Sequence, residues 1–122
     1  MPKLDVEETV IAWLNTILPT GYSASGDKPT APTPNTYVLV DRTGGPREAM
    51  VLDRASILIE VYNKTSRKGA KDEATNIADR IVELLSYAND ITHAQVNSVI
   101  HLADTLAQYE RYQVYCDIYG RR

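Results

Sequence analysis

The residues from Tyr109 to Tyr119 alternate between two kinds of side chain, and this alternation constrains the fold more than any other feature. Successive side chains of a β-strand point to opposite faces of its sheet. One set is Tyr112, Val114, Cys116 and Ile118; the other is Tyr109, Arg111, Gln113, Tyr115, Asp117 and Tyr119. Two earlier segments divide similarly: Ile57, Ile59 and Val61 against Leu58, Glu60 and Tyr62, and Val38 and Val40 against Tyr37, Leu39 and Asp41. The pattern predicts a sheet with one aliphatic face and one mixed face.

Two amphipathic helices are predicted to cover the aliphatic face. From Leu4 to Leu18 the apolar residues recur at helical spacing, with Asp5 as N-cap and Trp13 as a core anchor. The second helix is predicted from Gly69 to Tyr87, with a buried stripe of Ala74, Ile77, Ala78, Ile81, Leu84 and Leu85. Near its start lies a basic run, which is either solvated or in contact with phosphate or an acidic partner: Lys64, Arg67, Lys68 and Lys71.

Strands are predicted on both sides of the second helix. They are Tyr37 to Arg42, Ala49 to Asp53, Ala55 to Tyr62, Gln95 to Leu102 and Tyr109 to Tyr119, with a turn at Thr43-Gly44-Gly45-Pro46. The last two strands are expected to pair as a hairpin. These elements predict an α+β fold: one mixed, mainly antiparallel sheet of about four to five strands with two helices packed on one face.

A loop rich in Pro, Ser and Thr is predicted from Thr20 to Thr36, because prolines at this density prevent a helix and a central strand. A short edge strand is expected near Tyr22 to Ala24. Loops of this length inside a small domain are often functional. The loop is too short to separate two cores, so the 122 residues are expected to form a single domain.

Composition excludes several classes of protein. With 43% hydrophobic residues and a formal charge of −3, the chain is typical of soluble globular proteins and not of general nucleic-acid binders. A single cysteine, Cys116, allows no internal disulfide. The N-terminal residues do not resemble a secretion signal, so synthesis and residence in a cytoplasm are expected.

No catalytic group of residues is recognisable in the sequence. His93 and His101 lie outside any metal-ligand spacing, and the Cys116 thiol is expected to be buried and inert. Asp41 and Glu60 lie on neighbouring strands, but an open sheet face offers no pocket that would separate their pKa values. The chain is therefore predicted not to be an enzyme and to hold no cofactor or metal.

The mixed face of the sheet is the predicted interaction surface, because its tyrosines, leucines and acids are too apolar for solvent and too charged for a second core. The chain has eight Tyr and no Phe, and aromatic residues are enriched at protein interfaces. Either another subunit or the Pro-rich loop is expected to cover this face. The predicted interface residues are Ser23, Pro29, Pro32, Pro34, Tyr37, Asp41, Thr43, Gly44, Gly45, Arg47, Glu60, Tyr62, Tyr115, Asp117 and Tyr119.

Several motifs in sequence order resemble the small tail terminator proteins of long-tailed bacteriophages, also called tail completion proteins. The residues that carry the resemblance are the Tyr-Val-Leu-Val strand that leads into Arg42-Thr43-Gly44-Gly45-Pro46-Arg47, then Asp53-Arg54-Ala55, the Ala-rich helix from Ala70 to Leu85 and the strand that opens Arg111-Tyr112-Gln113-Val114. The amphipathic first helix and the Pro-rich loop precede them in the expected order.

The resemblance implies a virion protein that forms a ring, commonly a hexamer, on the head-proximal end of the tail tube. Such a ring ends tube polymerisation and docks the head connector or stopper protein. DNA would pass through its channel without sequence-specific binding, and an acidic chain is compatible with this passage. Two alternatives remain: another head–tail joining protein of the neck or head-completion type, or a small α+β ligand-binding or enzyme domain.

Overall fold

Helices and strands occupy most of the computed structural model, which describes residues 6–27, 35–44, 52–104 and 109–121. In chain order they are α1 (Val6–Ile17), β1 (Ala24–Ser25), β2 (Thr36–Gly44), β3 (Leu52–Asn63), α2 (Arg67–Arg80), a 3₁₀ turn (Ile81–Glu83), α3 (Leu84–Tyr87), β4 (Ile91–Asp104) and β5 (Tyr109–Arg121). The predicted α+β fold with helices on one face of the sheet is confirmed. No helix within the described ranges is both long and apolar enough to cross a membrane.

The five strands form one sheet in the order β1-β2-β3-β5-β4. β1 runs parallel to β2, and every other neighbouring pair is antiparallel. The sheet is therefore mixed and mainly antiparallel, as predicted. β5 inserts between β3 and β4, and the predicted hairpin of the last two strands is confirmed by their pairing from Ile91↔Gly120 to Asp104↔Tyr109.

The hydrophobic core lies between the helices and the aliphatic face of the sheet. Buried residues alternate with half-buried ones along β3 from Arg54 to Val61 and along β5 from Arg111 to Gly120, as the sequence predicts. Tyr62 and Asn63 at the end of β3 depart from this pattern, because both are buried. Trp13 is 1% exposed and belongs to the same cluster as the α2 residues Ala74 and Ile77. The sheet side of the cluster includes Val38, Val40, Ile57, Ile59, Val61, Tyr112, Val114, Cys116 and Ile118. The period-2 pattern of the sequence therefore identifies the face that packs against the helices.

One predicted strand boundary is wrong. The strands expected at Ala49 to Asp53 and Ala55 to Tyr62 are not separated at Arg54, because β3 continues without interruption from Leu52. The reason is the partner strand: Asp53, Arg54 and Ala55 each pair with a residue of β5. Residues 49–51 lie outside the described part of the chain. The short edge strand predicted at Tyr22 to Ala24 begins two residues later and spans Ala24–Ser25.

The second helix begins earlier than predicted and is interrupted. Ser66 caps α2, and its Oγ accepts a hydrogen bond from Gly69 N at 2.8 Å. The predicted helix from Gly69 to Tyr87 changes to a 3₁₀ turn after Arg80 and ends as the short α3. The change in helical phase turns Leu85 outwards, so this predicted stripe residue is 39% exposed. The predicted N-cap Asp5 of the first helix lies outside the described residues.

Candidate functional site

The face of the sheet opposite the helices is the candidate functional site, and we call it the open face. We call residues that pair with one another across successive strands a row. One row on this face is Leu39, Glu60 and Gln113, and the next is Asp41, Leu58 and Tyr115. Most of its side chains are half-buried. Its members are Tyr37, Leu39, Asp41, Leu58, Glu60, Tyr62, Arg111, Gln113, Tyr115, Asp117 and Tyr119.

Two tyrosines at one end of the open face stack on each other. Tyr37 and Tyr62 are cross-strand partners whose ring centroids are 4.5 Å apart and whose planes differ by 14°. They are only 2% and 8% exposed, and Leu39 packs against them. The Arg111 guanidinium lies 5.8 Å from the Tyr62 ring centroid. Burial raises the pKa of the Tyr62 hydroxyl, and its hydrogen bond with Arg111 opposes that rise. Both predicted interface tyrosines thus expose little surface in the single chain.

Polar side chains in the middle of the open face bind one another. Glu60 accepts a hydrogen bond from Gln113 Nε2 at 3.0 Å and lies 3.4 Å from Arg111 Nη1. The side chains of Glu60 and Arg111 are 15% and 27% exposed. Tyr115 completes the network, since its hydroxyl donates to Gln113 Oε1 at 3.2 Å. A carboxylate held by a cation and an amide suits a dry contact surface better than proton transfer.

Asp117 and Tyr119 extend the open face towards the other end of the sheet. Asp117 accepts hydrogen bonds from Ser56 Oγ at 2.9 Å and Asn97 Nδ2 at 3.1 Å. The Tyr119 ring centroid lies 5.5 Å from that of His93, in a tilted arrangement. Both predicted interface residues are half-buried, so they retain surface for a partner.

The other predicted interface residues lie at the edge of the sheet or outside the described chain. Asp41 is exposed on β2, and Thr43 Oγ1 donates to Ser56 O at 3.3 Å near a register shift between Arg42 and Gly44. Ser23 is exposed immediately before β1. The residues outside the described part of the chain are Pro29, Pro32, Pro34, Gly45 and Arg47.

A groove lies on the helix side of the molecule, among residues that the sequence did not indicate as a site. It has a volume of about 410 Å³ and is lined by Trp13, Thr16, Ile17, Arg80, Glu83, Ser86 and Tyr87. Nearby, Val82 is 61% exposed and Tyr87 is 46% exposed. Arg80 and Glu83 at the rim bind each other, with Nε to Oε2 at 2.8 Å. The groove lies beside the 3₁₀ turn that interrupts the helix, and no pattern in the sequence indicates it.

The titratable groups form no recognisable catalytic arrangement in the described ranges. No group of three or more His, Cys, Asp or Glu there could hold a metal ion. Cys116 is buried, and burial raises the pKa of its thiol to about 12, with a smaller contribution from Asp117. His101 lies 2.8 Å from Glu110, and its ring is tilted by 33° against the Tyr112 ring, whereas His93 is exposed. The thiol is therefore buried, as predicted, and its raised pKa keeps it protonated at neutral pH.

Two further groups with raised pKa values lie away from the open face. Burial is the main cause that raises the pKa of the Tyr22 hydroxyl and, separately, of the Glu73 carboxyl. The hydrogen bond from Asn76 opposes the shift of Glu73. A carboxyl and a phenol alone supply neither a nucleophile nor an oxyanion site, so they define no reaction.

The basic run at the start of α2 is exposed throughout. Lys68 binds Asp72 at 2.8 Å, and the nearby Tyr112 hydroxyl raises the pKa of the exposed Arg67. Lys64 and Lys71 are also exposed. The run is thus solvated in the single chain, and contact with an acidic partner stays a prediction.

Comparison with known proteins finds a match in structure but not in sequence. No protein-family model matches the chain, and no curated protein matches it. A chain of the solved structure titled "Virion of native gene transfer agent (GTA) particle" superposes with a TM-score of 0.58. The match has 16% sequence identity and covers 84% of this chain and 80% of that chain. At this identity the match establishes a shared fold, which this protein has in common with a component of a virion.

Proposed function

We propose that this chain is a structural virion protein that forms a ring on the head-proximal end of a phage-type tail tube. The ring ends tube polymerisation and provides the docking surface for head connector proteins. The observation that carries the proposal is the open face, where half-buried tyrosines and paired polar groups lie opposite the helices of the described ranges. Surfaces of this composition are typical of protein interfaces.

Two further observations support the same role. The fold matches that of a chain in a virion particle over most of both chains. The sequence motifs resemble tail terminator proteins in the same order along the chain. A neck or head-completion protein would use a similar surface but bind a different neighbour, so the experiment must identify the neighbour.

The test is to mix the purified protein with tail tubes and image the tubes by negative-stain electron microscopy. We expect added density at one end of each tube and no further elongation when tube subunits are supplied. Density along the tube wall, or none at either end, contradicts the terminator role. Binding to the head connector but not to the tube favours a neck or head-completion protein. Thr75→Ala, at an exposed site on α2, is the control variant and should cap tubes normally.

A further inference from the structure

Strand β4 forms one edge of the sheet, and the described chain provides no strand on its outer side. Natural edge strands are usually protected by Lys, Pro, bulges or a covering loop. From Ile91 to Asp104 the sequence contains no Lys, Arg, Pro or Gly. The two register shifts lie before Ser98, so the second half of the strand is regular. Val99 and Ile100 in that half are each 42% exposed. This half of β4 therefore has the chemistry of an edge that pairs with another strand.

The opposite edge of the sheet is β1, which has only two residues. Typical strands have about five or six residues. The pairing register places Ser25 of β1 and Ile100 of β4 at the two ends of one row across the sheet. The members of this row are Ser25, Leu39, Glu60, Gln113 and Ile100. The neighbouring row begins at Ala24 and ends at His101. A second copy placed beside the first in the same orientation would therefore bring its β1 level with Ile100 of the first copy.

Strand directions also suit this contact. β1 runs parallel to β2, and the three remaining pairings are antiparallel, so β4 runs opposite to β1. Two copies side by side would thus join through an antiparallel ladder, which is the slightly more stable kind. Ile100 and Ser25 lie in the same row as Leu39. Ile100 of one copy would then pack over the small Ser25 and extend the open face across the boundary.

We propose that β4, from Ser98 to Asp104, pairs with β1 of the next copy and joins the sheets of neighbouring subunits. This inference rests on the proposed ring and names the contact between its subunits. The contact joins two different edges, and such heterologous contacts generate a ring when the rotation closes. A β4 to β4 contact would instead pair two copies across a two-fold axis and leave both β1 edges outside. A second copy in the same orientation supplies β1 at that level and in the antiparallel direction, and this fit favours a second copy as the occupant of the edge.

Disulfide cross-linking tests the proposed neighbours. One chain carries Ser25→Cys, and a second chain carries a cysteine at Ser98, Ile100 or Leu102, which lie on the same side of β4. The native Cys116 does not compete because its thiol is buried and protonated. Directly opposed cysteines on paired strands meet disulfide geometry. We expect an oxidised product of two chains from at least one mixture and none from Ser25→Cys alone, both on tube ends and in concentrated solution. A mixture of Ser25→Cys with Thr75→Cys is the matched control.

The outcomes separate this inference from the proposed function. Caps on tube ends without any cross-link overturn the β4 to β1 contact but leave the terminator role standing. Self-cross-linking of Ile100→Cys shows two-fold pairing and also overturns the contact. If neither caps nor oligomers form, both proposals fail. A chain that carries both Ser25→Cys and Ile100→Cys should give cross-linked products of two, three and more chains, up to the number of subunits in the ring.

Protection of the edge provides a second test. Ile100→Lys places a charge on β4 in the manner of natural edge strands. We expect the circular dichroism spectrum and thermal midpoint of the monomer to stay close to those of the parent. The concentration needed for capping should rise at least tenfold, whereas Val82→Lys, on the exposed 3₁₀ turn, should cap like the parent. Capping by Ile100→Lys at the parent concentration would overturn the contact.

Discussion

At the scale of single residues, Asn63 connects three parts of the chain. It is 6% exposed, and its Nδ2 donates to the Tyr22 hydroxyl at 2.9 Å. Its Oδ1 accepts from the backbone N–H groups of Thr65 and Ser66, each at 2.9 Å. One buried amide therefore connects the segment before β1, the end of β3 and the start of α2. The sequence marks this position only as a polar residue after a strand.

The first prediction concerns Gly69, which packs against that amide. A Cβ at this position would lie 2.8 Å from Asn63 Nδ2 and 3.2 Å from Ser66 Oγ. Alanine normally stabilises a helix relative to glycine by about 1 kcal/mol. Here we expect Gly69→Ala to lower the free energy of unfolding by about 1–2 kcal/mol because Asn63 must move. Urea unfolding measures the change. Thr75→Ala on the same helix should change stability by less than about 0.5 kcal/mol, and a stabilised Gly69→Ala would show that Asn63 moves freely.

The second prediction concerns the Cys116 thiol and alkaline pH. Its pKa is raised from 9.0 to about 12 in the folded chain, so the unfolded chain loses the proton first. The stabilisation is therefore complete below pH 9 and is lost as the pH rises towards 12. The loss from this one group approaches about 1.4 kcal/mol per pH unit in that interval. Urea unfolding from pH 8 to 10.5 measures the slope. Cys116→Ala should flatten the slope, and an unchanged slope would assign the alkaline loss to tyrosines such as Tyr62, whose pKa is also raised.

At the scale of elements, β3 shows which boundaries the sequence determines. Its alternation from Ile57 to Tyr62 predicts the strand and both of its faces. Its start was not predictable, because Asp53 and Arg54 extend the strand only where β5 supplies partners. The interruption of the second helix at Arg80 was likewise missed. Local periodicity reports on burial within an element, whereas the ends of an element depend on which other segment pairs with it.

The third prediction compares two neighbours on β3. Ile59 is fully buried beneath the helices, and Leu58 is half-buried on the open face. Ile59→Ala should lower the free energy of unfolding by about 2–5 kcal/mol because it leaves a cavity. Leu58→Ala should lower it by less than about 1 kcal/mol, because its side chain is only partly removed from water. Chemical denaturation of the two variants checks both values. Equal losses would mean that the open face is a second core within the single chain.

At the scale of the whole molecule, the two faces of the sheet differ: one packs against the helices, and the other is the proposed contact surface. The helices cover the aliphatic side, and the mixed side keeps exposed groups such as Asp41 and half-buried groups such as Tyr115. Tyr37 and Tyr62 are exceptions on the mixed side, because their stacked rings are largely buried in the single chain. The proposed contact surface therefore lies towards Tyr115, Asp117 and Tyr119, which are half-buried.

The fourth prediction tests that division. The double variant Tyr115→Ala, Tyr119→Ala should weaken capping of tail tubes at least tenfold, because buried aromatic side chains dominate interface energies. Its free energy of unfolding should fall by less than about 2 kcal/mol, since both rings are only partly buried in the monomer. Capping assays by electron microscopy and urea unfolding measure the two effects. If stability falls as much as capping does, the two rings belong to the fold.

By itself the sequence determined the local features: two amphipathic helices, the strands and their faces, a buried unreactive thiol at Cys116 and the α+β class. These depend on periodicity and polarity, which neighbouring residues define together. Only the tertiary structure decided the strand order with β5 between β3 and β4, the stack of Tyr37 on Tyr62 and the common level of Ser25 and Ile100. Each of these depends on pairing between distant segments, whose register is chosen by packing across the whole sheet.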